Sequence, residues 1–155
     1  MARRLFWIAA MLGVAHAAFS LYWAIGGTWL LATVGQWAVR LGRDEPGLAA
    51  LTLALVAAVK LAAALIPLLV DLGRIGAPRF WRAVSWVGAT GLVIYGLFNV
   101  VVATAVLTGV IPVADYDHAA MLGHAALWDP LFAAWGLALL GALAASRPGA
   151  RGVRE

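Results

Sequence analysis

The sequence predicts an all-α fold: a four-helix transmembrane bundle with a short external interfacial helix between spans 1 and 2. Three observations predict it. Hydrophobic residues make up 65% of the chain and charged residues 12%, at a mean hydropathy of +0.94, more apolar than a water-soluble fold can bury. The apolar residues gather into four runs, each long enough to cross ~30 Å of hydrocarbon. Most of the charges flank these runs.

Span 1 runs from Leu5 to Ile25, about 21 residues or ~31 Å of helix. Span 2 covers Leu48 to Val70, interrupted by Thr52, Lys60 and Pro67, and span 3 covers Ala83 to Leu107 with Ser85, Thr90, Asn99 and Thr104 inside it. Span 4 is expected from Ala119 to Ala145, with Asp129 and Pro130 in its path. Two arrangements compete there. Asp129 can cap a helix that starts at Pro130, but the remainder is then only ~24 Å long. A helix starting near Ala119 and kinked at Pro130 keeps the spanning length and is preferred. The four spans form one membrane domain, 1–155.

Basic residues near span ends are retained in the cytoplasm. Arg3 and Arg4 precede span 1, Arg74, Arg79 and Arg82 lie between spans 2 and 3, and Arg147, Arg151 and Arg154 follow span 4. The opposite side has only Arg40 and Arg43, beside Asp44 and Glu45, and a loop with Asp115 and Asp117. The expected location is the cell membrane with both termini cytoplasmic. Arg3, Arg4 and Ala15-His16-Ala17 also fit a cleavable signal peptide, but the apolar run continues to Ile25, longer than a usual signal core.

Between spans 1 and 2, Trp29, Leu30, Val34, Trp37, Ala38 and Leu41 fall near helical spacing after Thr28, a plausible N-cap. The segment 29–41 is too short to cross and is expected to lie at the headgroup level.

Absent cysteine excludes disulfides, thiolate metal sites and a cysteine nucleophile. A net charge of +4 and a pI near 10.4 do not imply nucleic acid, because the cations sit in short clusters beside apolar runs; the expected partner is the lipid bilayer. Phosphate loops and hydrolase motifs are missing, and no metal site is expected, although His118 and His124 with Asp115 and Asp117 form a weak candidate cluster. Paired histidines for haem are not expected, since His16 lies several turns deeper than His118 and His124. No cofactor is indicated.

Ionisable groups inside hydrocarbon cost at least a few kcal/mol each unless paired or wetted, so they mark candidate sites. Lys60 is the only lysine of the chain, near the middle of span 2. His16 lies near the middle of span 1, and Asp129 in the external half of span 4. At 1.5 Å per residue, His16 and Lys60 lie roughly 14 to 18 Å deep, Asn99 ~12 Å, Ser20 ~8 Å and Asp129 ~5 to 15 Å. These levels overlap, and a Lys60–Asp129 pair is geometrically allowed. His16, Ser20 and Trp23 share one face of span 1, and Tyr95 and Asn99 one face of span 3. The expected polar cavity, open to the external side, is lined by His16, Ser20, Trp23, Lys60, Tyr95, Asn99, Trp128 and Asp129.

Three functions fit these residues. The first is binding or transforming a small lipophilic ligand in that cavity, with Lys60, Asp129 and His16 moving protons. The second is a structural or accessory subunit whose polar residues join helices. The third is an ion or proton pathway in a homo-oligomer. Whether the chain is an enzyme stays open.

The run His16-Ala17-Ala18-Phe19-Ser20-Leu21-Tyr22-Trp23-Ala24-Ile25-Gly26-Gly27 and the later Trp128-Asp129-Pro130 resemble a group of small bacterial four-span membrane proteins known as a domain of unknown function. The resemblance implies the architecture and carries no catalytic role.

Overall fold

A computed structural model describes residues 1–146. The final arginines, Arg147, Arg151 and Arg154, lie outside the described residues. Helices α1 (Ala2–Ala24), α3 (Pro46–Asp71) and α4 (Pro78–Leu107) are continuous, and a fourth stretch comprises α5 (His118–Gly123), a π-turn (His124–Trp128) and α6 (Asp129–Ala145). These four helices are long and apolar enough to cross a membrane. The short helix α2 (Gln36–Asp44) follows a 3₁₀ turn (Leu31–Thr33).

Local chemistry sets the boundaries. Pro46 and Pro78 occupy the first positions of α3 and α4, where a missing N–H costs nothing and the fixed φ suits a helix. Gly73 and Gly109, at φ 71 and 73°, follow the ends of α3 and α4 in the left-handed conformation that closes a helix. Pro130 does not start a new helix. It lacks an N–H and would crowd the carbonyl four residues back, and the preceding turn widens into the π-turn, so that 118–145 runs through as one rod.

The segment expected as a helix over 29–41 differs. Leu30 takes φ 61° and Gly35 φ 137°, so the chain breaks before Gln36. Thr28 caps nothing. Gly35, for which a side chain at that φ is strained, precedes α2, and the carboxylate of Asp117 accepts from Gln36 N–H at 2.8 Å. That tertiary bond fixes where the helix starts.

In the packing, α1 lies between α3 and α6, and α4 packs on the other flank of α6, while α3 and α4 meet only sparsely. Small residues allow the close contacts. A Cβ on Gly96 would come within 2.6 Å of the Asp129 carbonyl, and one on Gly136 within 2.7 Å of the Ala89 carbonyl. A core of Phe6, Ala10, Ala64, Leu68, Trp135 and Leu139 fills the half of the bundle near the 72–77 loop. At the other end, Trp23 and Trp128 pack with Leu31 and Ala38.

The outward faces are apolar too. Leu51, Leu55, Val59, Val87, Ile94, Phe98 and Val101 are all exposed, a surface that water would not tolerate but hydrocarbon solvates. Arg82 closes the far end of α6. Its guanidinium donates to the Leu143 carbonyl at 3.0 Å and to Ser146 Oγ at 2.9 Å, satisfying a C-terminal carbonyl with a cation at the negative end of the helix.

Candidate functional site

On α1, His16, Ser20 and Trp23 are buried along one stripe with Gly13 and Ala17. Helix α3 faces them with small side chains: Ala57 and Ala64, three residues before and four after Lys60, are both buried. The two backbones therefore approach closely, and Lys60 extends along the seam. Its amine donates to Ser20 Oγ at 2.9 Å and lies 3.1 Å from His16 Nδ1. With the amine as donor, His16 accepts at Nδ1 and carries its hydrogen on Nε2. That Nε2 is buried without a partner among the described residues.

Span 4 contributes aromatic rings to the same place. The His16 ring lies 3.9 Å from that of Phe132 and 5.7 Å from that of Trp128, and Lys60 Nζ sits 5.5 Å from the Phe132 centroid, in cation–π range. Trp128, Phe132 and Trp135 follow i, i+4, i+7 spacing and share one face. That spacing was visible in the sequence, yet Phe132 and Trp135 were not among the expected cavity residues because they are apolar. Trp135 is 1% exposed, and its indole N–H has no partner among the described residues.

The other expected residues are placed elsewhere. Asp129, 0% exposed, does not bond Lys60: its Oδ2 meets His124 Nδ1 at 2.7 Å. The π-turn makes this contact possible by bringing residues five apart onto one side, a geometry that ordinary helical spacing does not foresee. Trp23 donates to the Trp29 carbonyl at 2.9 Å, and Trp128 to Thr33 Oγ1 at 3.0 Å, so both indoles tie the bundle to the 28–35 segment. Tyr95 is half exposed and touches the cluster through an edge contact with Phe132 at 5.7 Å. Asn99 donates to the Tyr95 carbonyl of its own helix.

Beside Lys60 runs a groove of about 500 Å³, within the range of small-molecule sites. It lies where α3 and α4 fail to close on one another. Its flanks are small or exposed residues, Ala62 and Ala63 on α3 and Val84 and Gly88 on α4, and its floor is Phe132, Trp135 and Leu139 of α6. The exposed flanks mean that it opens sideways, between two helices, rather than at an end of the bundle. From Val59 to Pro67 it extends about 12 Å along α3, from Lys60 towards the 72–77 loop. No acidic residue lines it. Of the residues expected to line a polar cavity, Lys60 alone lines this groove.

A second, shallow pocket at the other end is lined by Arg40, Asp115, Asp117, His118 and His124. Asp117 is committed to backbone: besides Gln36 N–H, it accepts from Ala120 N–H at 3.1 Å as the N-cap of α5.

Among known proteins, residues 13–139 match the family described as Protein of unknown function (DUF3995). No curated protein and no solved structure matches the chain.

Proposed function

The chain belongs to the DUF3995 family, whose description assigns no function, and from that premise we propose that it is a multi-pass protein of the bacterial cell membrane that takes a small lipophilic molecule from the bilayer. The molecule enters sideways between α3 and α4 and rests with its polar part at Lys60. One observation carries this reading: the half-open apolar groove has a single lysine at one end and no carboxylate to pair it. A lysine at mid-membrane is costly. Neutral partners such as Ser20 and His16 solvate it in part, and a ligand that accepts a hydrogen bond completes its coordination.

The arginine distribution supports a topology in which the 72–77 loop and the amino terminus face the cytoplasm. The groove then lies in the cytoplasmic half of the bilayer. The carboxyl-terminal arginines that place the last residues on the same side lie outside the described residues.

The test is to purify the protein from bacterial membranes into lipid nanodiscs and identify the extracted small molecules by mass spectrometry. Gly88 lines the groove with open space where its side chain would be, so Gly88→Leu fills it. A lipophile retained by the wild type and lost from Gly88→Leu is the expected result. Identical extracts from both, containing bulk phospholipid only, would overturn the proposal.

A further inference from the structure

We propose that the groove selects a planar, ring-bearing carbonyl compound of the quinone class, whose carbonyl oxygen accepts a hydrogen bond from Lys60; this rests on the groove being a ligand site. Three features of the groove define its occupant.

The first is shape. Ala62, Ala63 and Gly88 leave open space between α3 and α4, and the inner wall carries the ring of Phe132, backed by the buried Trp135, whose ring lies 17° from parallel at 6.3 Å. A flat ring system stacks on such a wall, whereas a kinked acyl chain leaves it uncovered. The second is size. About 12 Å of length and about 500 Å³ hold a fused ring with a short substituent, and a longer prenyl tail leaves through the open side into lipid.

The third is hydrogen-bond polarity. An ammonium has three donors, and Lys60 directs two at Ser20 and His16, leaving one. Ser85 spends its hydroxyl hydrogen on the Trp81 carbonyl at 2.6 Å. At Lys60 the groove thus offers a donor and no carboxylate, so the polar group that meets it is an acceptor. A carbonyl meets that need while leaving the molecule uncharged and free to diffuse in hydrocarbon, which an ionised carboxylate is not.

The probes are menadione (a two-ring quinone), 2-methylnaphthalene (the same rings without oxygen) and 2-naphthoate (the rings with an anionic acceptor). Each is equilibrated with protein in nanodiscs, and the amount retained above that of empty nanodiscs is measured by chromatography. Menadione is expected to be retained by the wild type and by Lys60→Arg, to bind about tenfold more weakly to Lys60→Met, and to be excluded by Gly88→Leu. Methylnaphthalene is expected to ignore Lys60→Met. Retention of naphthoate in preference to menadione would overturn the quinone assignment in favour of an anion site. Equal loss of all three on Gly88→Leu with no effect of Lys60→Met would overturn the acceptor argument and leave the groove reading standing. If none is retained and Gly88→Leu changes nothing, the groove reading itself fails, as it does if a phospholipid chain or a second copy of the protein fills the slot.

Discussion

His124 and Asp129 stand five residues apart on one continuous rod, and their side chains meet at 2.7 Å, Nδ1 to Oδ2. In an α-helix, at 3.6 residues per turn, such positions point well away from each other. The π-turn forced by Pro130 rotates them together. A carboxylate with no solvent exposure thereby gains a partner that reaches the surface.

This pair is expected to be strongly coupled. Removing His124 leaves the fully buried Asp129 side chain without its hydrogen-bond partner, which costs about 1 to 3 kcal/mol. His124→Phe is therefore expected to lower stability by about 1 to 3 kcal/mol, and His124→Phe with Asp129→Leu by clearly less than the sum of the single changes. Denaturant unfolding in mixed micelles with a double-mutant cycle measures the difference. Additive effects would show that the pair does not matter.

Close backbone contact between α4 and α6 makes a second expectation. Gly96 and Gly136 face backbone atoms of the partner helix at under 3 Å from where a Cβ would stand, whereas Gly91 faces open space. Backbone cannot yield as a flexible side chain does. Gly96→Ala and Gly136→Ala are expected to cost about 1 to 3 kcal/mol by overpacking. Gly91→Ala is expected to be neutral or to add up to about 1 kcal/mol through helix propensity. Thermal unfolding of the three variants in the same detergent separates the cases.

A hydrogen bond from Trp128 ties the 28–35 segment to span 4, beside a longer contact of 3.4 Å between His124 Nε2 and the Val34 carbonyl. Trp128 Nε1 donates to Thr33 Oγ1, whose hydroxyl in turn donates to the Leu30 carbonyl at 2.6 Å. Thr33→Val leaves the buried indole donor unpaired, at a cost of about 1 to 3 kcal/mol. Amide hydrogen exchange over 30–35 is expected to accelerate in Thr33→Val and less in Trp128→Phe, which removes the donor as well as the bond. No change in exchange would place the anchor elsewhere.

Much of this architecture could be read directly from residue order. The four apolar runs became four rods because hydrophobic length is a local property, and expected spans such as 48–70 differ from Pro46–Asp71 only at their ends. Counting rise per residue set Lys60 level with His16, and these two side chains meet, together with Ser20, which the count had set nearer the surface. What stayed hidden depends on tertiary context. The positive φ of Leu30, a residue with no local preference for it, is held by the packing of the 28–35 segment. Asp129 found His124 rather than Lys60 because the π-turn changed which positions share a face. The lateral opening depends on two helices not touching, and no periodicity within a single helix records a missing contact.

All of these expectations presuppose four crossings that hold Lys60 at mid-depth, and the cysteine-free chain allows that to be measured directly. Single cysteines at Thr28, Ala114 and Gly76, all exposed positions in connecting segments, are treated in intact cells with a membrane-impermeant thiol reagent. Thr28→Cys and Ala114→Cys are expected to react at once, and Gly76→Cys only after the membrane is permeabilised. Labelling of Gly76→Cys in intact cells together with the other two would contradict the account.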